Sequence, residues 1–465
     1  MPYENQFGSK TAHSDVVRNP EVRTFLEQCR PIREPSEESG KELASYFVEP
    51  PEYSEDSDID YVIASDGSYY SSSIDNRLPS IQVCYLKFST ILIEMRDFQG
   101  LEDTNTQLID PFRVASLQRN RDTLTLVLPL SNFKMPDDDS VKSTFRRQMD
   151  SFLWSQSTRF RRDDPGTSLM GTFIDLALLR PDRDAPPGQV KVHRCPSEDC
   201  DATNIYMDPE EPEHNCPRCG NPLYISDCLR LWEVVSDFHP NKEPASRFMS
   251  YIEHLLPIHY LRFLADEAPA QLSGLGILVD GPLAVFGHAA WLHYSIMRFL
   301  YQLRERQRAR DLKMPVIIGI QKSGYVVEYM QLLNQYVPNN RLFSITDEFR
   351  YKYLGIEKSA NGFGSETYYG HDFAIKTRSG KLFIFGLPYP FPTKIAAHNF
   401  LEEKANIEHY EELSRALSLI TQVETDLYRD AVVPIALAHR YTAISLRPGG
   451  RVLDIMGRTA QANNQ

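Results

Sequence analysis

Residues 275–346 read LGILVDGPLAVFGHAAWLHYSIMRFLYQLRERQRARDLKMPVIIGIQKSGYVVEYMQLLNQYVPNNRLFSIT, and their rhythm decides the fold. The apolar runs at 275–279, 315–320 and 341–346 have the length and β-branched content of buried strands. Between them, 284–308 and 324–335 carry apolar residues at helical spacing, and another helical stretch, 244–266, precedes them. This alternation predicts an α/β layer whose sheet is at least partly parallel. Upstream, 59–65 (IDYVIAS, leading into Asp66-Gly67-Ser68), 81–95 and 123–128 add strands, and 141–160 and 168–180 add helices. Downstream, 372–386 reads as a hairpin turning at Ser379-Gly380 and 398–422 as a helix. A final helix is expected over 434–446, stopped by Pro448-Gly449-Gly450.

The chain has 465 residues, room for roughly two to three domains. With 42% hydrophobic and 24% charged residues it can bury a core, and its 23 glycines and 31 prolines exclude collagen-like or low-complexity classes. The formal charge is −13, of which −8 falls in residues 1–60. A nucleic-acid partner therefore needs a local basic face rather than a global field. No run approaches the roughly 18 apolar residues of a membrane span, and the first 30 residues lack a secretory pattern. Seven cysteines, four of them within 25 residues, suit a reducing compartment, so the expectation is a soluble, cytoplasmic protein without a membrane partner. Residues 1–57 read as an acidic, solvated extension with a short helix around Glu21–Cys29.

Cys195, Cys200, Cys216 and Cys219 have the spacing C-x4-C-x15-C-x2-C. The stretch Asn215-Cys216-Pro217-Arg218-Cys219-Gly220 is a zinc-knuckle turn, and four thiolates suit a closed, tetrahedral, structural Zn²⁺. Residues 191–228 are too few for a core of their own, so metal would supply folding energy that apolar burial cannot. The first cysteine pair is looser than usual, which leaves His193 or His214 as substitute ligands. Cys228 falls outside the pattern, and Cys29 and Cys84 read as core or free thiols. The organisation expected is an extension at 1–57, a core at 58–190, the zinc-ribbon-like insert at 191–228 and the rest of the core at 229–465.

Asp66 and Asp280 each follow an apolar strand and precede a glycine, and Lys322 lies just beyond a third strand. In open α/β sheets, ligands collect beyond the carboxyl ends of strands. Two aspartates there would make an oxygen-rich site for Mg²⁺ or Mn²⁺, ions that activate water in phosphodiester hydrolysis. Lys322 would offset charge on the scissile phosphate. The bland reading is that each Asp-Gly closes a turn or caps a helix.

VIASDGSYY at 62–70, ILVDGPLAVFG at 277–287, GIQKSG at 319–324 and VVPIALAHR at 432–440 resemble, in order, the motifs of the NurA nuclease family, over about residues 58–465. The resemblance implies an RNase H-like fold, a homodimer, manganese-dependent DNA end-resection and a hexameric HerA-type ATPase partner that pumps DNA, in repair or anti-phage defence. By position, Asp66 and Asp280 match the family's metal aspartates and His439 its C-terminal histidine. Glu253, in SRFMSYIEHL, matches the intervening glutamate, with Glu233 the rival. The family commonly has a tyrosine eight residues before the histidine; Ala431 stands there, and Tyr428 lies three residues earlier. That departure motivates an alternative, an inactive subunit that seats or regulates the ATPase. A third reading is action on RNA or an RNA–DNA hybrid.

Arg304, Arg306, Arg308 and Arg310 crowd one helix end, and Arg159, Arg161 and Arg162 surround Phe160. They read either as phosphate-tracking surfaces or as cations placed favourably at helix C-termini. The aromatic stretch Phe363–Tyr369 reads as core packing or as a stacking platform.

Overall fold

Twelve strands form among the described residues. In chain order they are β1 (Tyr61–Ser73), β2 (Gln82–Glu94), β3 (Asn120–Ser131), β4 (Val190–Arg194), β5 (Thr203–Met207), β6 (His214–Asn215), β7 (Pro222–Leu223), β8 (Leu275–Asp280), β9 (Val316–Gln321), β10 (Arg341–Ser344), β11 (Gly370–Lys376) and β12 (Leu382–Pro388). The computed structural model describes residues 11, 13–29, 35–99, 120–181, 185–394, 397–424, 432–444 and 449–462.

Eight strands make one sheet in the order β10-β11-β12-β9-β8-β1-β2-β3. β1, β2 and β3 are an antiparallel meander, while β8 and β9 run parallel to β1. The five strands β3-β2-β1-β8-β9 are thus the mixed RNase H-like core that the resemblance implies. β12 pairs antiparallel with β9 and extends the sheet through β11 to β10.

Alternation along β1 sorts side chains between two cores. Ile63 belongs to the larger one, with helices α1 (Val141–Trp154), α2 (Leu169–Leu178), α3 (Lys242–Glu267) and α4 (Leu292–Arg308). Val62 and Ala64 belong to the other, with α5 (Leu413–Val423) and α6 (Val433–Thr442). In α3, Phe248, Tyr251, Ile252, Leu255 and Leu256 recur every three or four residues and keep that helix on the sheet.

Several boundaries differ from expectation. β1 continues through Asp66 to Ser73, because β2 still pairs with it after β8 has ended. The helix expected at 284–308 begins only at Leu292, since Gly281 (φ +104°), Pro282 and Gly287 (φ +81°) hold the preceding loop. The stretch 398–422 divides into Ala397–Glu403 and Leu413–Val423. The last helix is a further one, α7 (Gly449–Ala462), where a stop was expected. Gly450 lets it lie against Tyr70, and Asp454 accepts hydrogen bonds from Tyr70 (3.0 Å) and Ser72 (2.6 Å) on β1. The acidic extension is not wholly solvated: Leu43 and Phe47 are buried against β10 and β12, although Pro20–Gln28 has no buried residue.

β4 pairs with β5 and β6 with β7, so two small hairpins carry the cysteine insert. The insert is locked to α1 by Arg146, which grips buried Asp227 through two 2.7 Å bonds and also donates to the Pro222 carbonyl at 2.9 Å. A buried pair contributes little against an apolar replacement, but removing one partner strands the other charge. Arg146→Ala should therefore destabilise the protein by about 3–5 kcal/mol in denaturant unfolding. A loss under about 1 kcal/mol would mean that this lock is not structural.

Candidate active site

Asp66 sits where β1 parts from β8. The last β1–β8 pair is Ser65 with Val279, so the same register carried one residue further sets Asp66 level with Asp280, the end of β8. Both continue the face of Val62, Ala64 and Leu278, beneath α6. Asp280 pairs with Ile320 on β9, so Lys322, two residues on, returns to that face, and its Nζ lies 2.6 Å from Asp280 Oδ2. Asp66 is only 5% exposed. Its Oδ2 accepts a hydrogen bond from Thr442 Oγ1 and lies 3.1 Å from His439 Nδ1, both from α6.

Glu253 arrives from α3 on the opposite face of the sheet. It reaches the aspartates because β1 has a glycine there: a Cβ on Gly67 would lie 2.6 Å from Glu253 Oε1 and 2.8 Å from Met249 Cγ. Four residues along α3, Pro257 has no N–H to give the Glu253 carbonyl, so the helix lacks one rung at this residue. Burial, then the charges of Asp66 and Asp280, push the Glu253 carboxyl up to about 8, against the pull of the Gly67 amide and Lys322. Burial also holds Asp280 above the usual carboxylate range, opposed by Lys322.

The structure therefore brings together Asp66, Glu253, Asp280, Lys322 and His439. It separates the rival Glu233, which is gripped by Arg230 at 2.7 and 2.9 Å with His288 at 3.4 Å. Sequence reasoning missed Thr442 and the opening at Gly67. Thr442 had one signal, its position three residues after His439 on the same helix face; Gly67 had only the Asp-Gly dipeptide. Tyr428 and Ala431 lie outside the described residues.

By ligand type the donor set suits a divalent cation, although among the described residues only the four cysteines bring three or more ligand atoms within 4.8 Å of one another. Three carboxylates and one imidazole are hard or borderline ligands, and their mutual repulsion, visible in Glu253, is what a cation would relieve.

The four cysteines form a second, separate cluster, their ligand atoms all within 4.8 Å of one another, which fits a zinc module. Cys195 and Cys219 sulfurs are 3.7 Å apart, as are those of Cys200 and Cys216. Gly220, at φ +72°, turns the chain so that its N–H reaches the Cys216 carbonyl at 2.9 Å. Burial raises the Cys216 thiol, but the Cys219 and Arg218 amides outweigh it and hold the thiol at about 7. No histidine is needed: His214 Nε2 is 2.7 Å from the Asp208 carbonyl, and His193 is exposed.

The arginines are mostly committed within the protein. Arg304, expected on a surface, is 7% exposed and bound to Glu412 at 2.8 Å. Arg306 pairs with Asp266 (2.6 Å), Arg308 with Glu305 and Glu411, and Arg161 with Glu267 (2.6 Å). Arg159 donates to the Trp154 and Arg162 carbonyls; Arg162 and Arg310 are exposed. Phe160 stacks on Phe263 and His259, and Tyr368 and Tyr369 are buried anchors.

A raised carboxyl means that the metal-free fold holds a proton the unfolded chain has released. Stability conferred below the unfolded value, near 4.3, is then lost as pH rises towards 8. The metal-free protein should lose up to a few kcal/mol of unfolding free energy between about pH 5 and 8.5, and Glu253→Gln should flatten that slope. Parallel slopes in the two proteins would contradict the assignment.

The family model of the NurA domain matches residues 60–444. No curated protein matches the chain. Among solved structures, the NurA nuclease from Sulfolobus solfataricus aligns over 97% of this chain and 96% of its own at 8% identity and TM-score 0.35. A second NurA crystal structure aligns over 97% of both chains at 12% identity and TM-score 0.26. With most of its length matched by that family model, the chain belongs to the NurA family.

Proposed function

We propose that this protein is a divalent-metal-dependent DNA nuclease, working as a homodimer beside a HerA-type hexameric DNA translocase. The observation that carries the reading is the convergence of Asp66, Glu253 and Asp280 where β1 parts from β8. Mn²⁺ or Mg²⁺ bound there would supply a Lewis acid and a water of lowered pKa. Asp66 and Asp280 would hold it, with His439 and Glu253 completing the set. Thr442 fixes the Asp66 carboxylate, and Lys322 is placed to meet the negative phosphate once a cation shares Asp280. Glu253, protonated near neutral pH without metal, would give up that proton as the site fills. The cysteine module would hold structural Zn²⁺ apart from this chemistry. Membership of the NurA family supports the nuclease reading; the homodimer and the translocase rest on the family resemblance alone.

The Lys322–Asp280 ion pair also gives the rival reading an observation of its own: the ammonium neutralises Asp280 without metal, as an inactive ATPase-seating subunit would allow.

Cleavage of end-labelled single- and double-stranded DNA with Mn²⁺ separates these readings. Wild type should cut, while Asp66→Ala and Asp280→Ala should lose at least on the order of a hundredfold in rate and keep their fold. Full cleavage by both variants would remove the site assignment, and a folded wild type inert with and without the ATPase would favour the seating subunit. Mild chelation should stop cleavage while metal analysis still finds zinc on the thiolates; joint loss of zinc, fold and activity would contradict two separate centres.

A further inference from the structure

The loop after Asp280 is built to hold one aromatic side chain in solvent. Leu283, Ala284, Val285 and Ala289 are all buried, yet Phe286 between them is 53% exposed. The loop is firmly pinned. Tyr369 N–H donates to the Leu283 carbonyl and Val285 N–H to the Thr367 carbonyl, each at 2.9 Å. Tyr251 Oη donates to the Phe286 carbonyl at 3.0 Å, and the Phe286 ring makes a T-shaped contact with Tyr368 at 6.0 Å. A Cβ on Gly287 would lie 2.0 Å from Arg247 Nη1, so the glycine leaves room for that guanidinium, which pairs with Glu243 at 2.7 Å. From the neighbouring parallel strand, the chain passes Lys322 and Gly324 (φ +106°) and exposes Tyr325 by 65% as the first residue of its helix. Phe286 and Tyr325 thus leave the same end of the sheet as Asp280 and Lys322.

Scattered exposed aromatics are ordinary. These two differ in following, six and three residues on, the paired site residues of adjacent strands, and in Phe286 being held by a backbone that leaves it little freedom. The chain is acidic, and Arg304, Arg306, Arg308 and Arg161 are each engaged in intramolecular ion pairs, so none of them is a free cation for backbone tracking. Stacking is the other general means of holding a strand, and it tolerates any sequence because every base has a π-face.

We propose that Phe286 and Tyr325 form a base-stacking subsite at the mouth of the carboxylate site, which takes the unpaired bases of a DNA strand. This rests on the nuclease reading and adds to it the form in which DNA enters: single-stranded, or frayed at a duplex end. A duplex interior hides its base faces and gains nothing from this subsite.

The test uses the full-length protein in chelator, so that nothing is cut, with single strands carrying 2-aminopurine or abasic positions. Wild type should quench 2-aminopurine, and Phe286→Ala and Tyr325→Ala should lose the quenching and bind roughly tenfold more weakly. Phe286→Tyr should restore both, and on the abasic strand wild type and Phe286→Ala should bind alike. Binding by wild type without quenching, or equal affinity of the alanine variants for the base-bearing strand, overturns the subsite while leaving the nuclease reading intact. Wild type that neither binds nor, with Mn²⁺, cuts any DNA overturns both. A change of oligomeric mass in Phe286→Ala, with DNA binding unaltered, would assign the aromatic to a protein interface and overturn the subsite.

Discussion

Like charges forced together in a largely buried space organise this molecule. Asp66, Glu253 and Asp280 come from a central strand, a helix on one face of the sheet and the end of a neighbouring strand, and nothing in water would hold them so close. The fold does it with rigid parts. β1 and β8 set the aspartates level, Thr442 and His439 hold one of them, Lys322 partly neutralises the other, and Gly67 leaves the gap through which Glu253 reaches from the far side. The residual repulsion is carried by Glu253, whose carboxyl is pushed up to about 8. Such strain is a common mark of a functional centre.

The rest of the charge is placed so as not to interfere. The cysteine module is tied to α1 through the Arg146–Asp227 grip, and Trp291, just before α4, donates its Nε1–H to the Cys228 carbonyl at 3.1 Å. Zinc there would therefore stiffen the wall that α1 and α4 build on the α3 side of the sheet, without touching the carboxylates. Arginines that look like a basic patch in sequence instead stitch helices together, and those pairs add modest stability at the surface.

How much of this could be read beforehand follows from the range of each signal. Apolar runs with β-branched residues announced β1, β8, β9 and the β11–β12 hairpin, because burial on a sheet acts on consecutive residues. The end of β1 was misplaced because Asp66 looks like a terminus, whereas the pairing that prolongs the strand comes from β2, elsewhere in the chain. The cysteine spacing is local and the cluster formed. The aspartates could be paired by analogy of position, but Glu253 lies in a 26-residue helix with nothing local to mark it, and only the family resemblance singled it out. Arg304 stayed open in the sequence between a phosphate-tracking surface and a helix-end cation, since its partner Glu412 is over a hundred residues away. Gly449 and Gly450 read as a stop, yet packing against Tyr70 turns them into the start of a helix.

The central claim is that these carboxylates are one cation site. Calorimetric titration of Mn²⁺ into the wild type near pH 7, in buffers of different ionisation enthalpy, addresses it most directly. The account predicts saturable binding that releases about one proton, with the release abolished in Glu253→Gln and the binding itself lost in Asp66→Asn. Binding without proton release, or undiminished in the Asp66 variant, would contradict it.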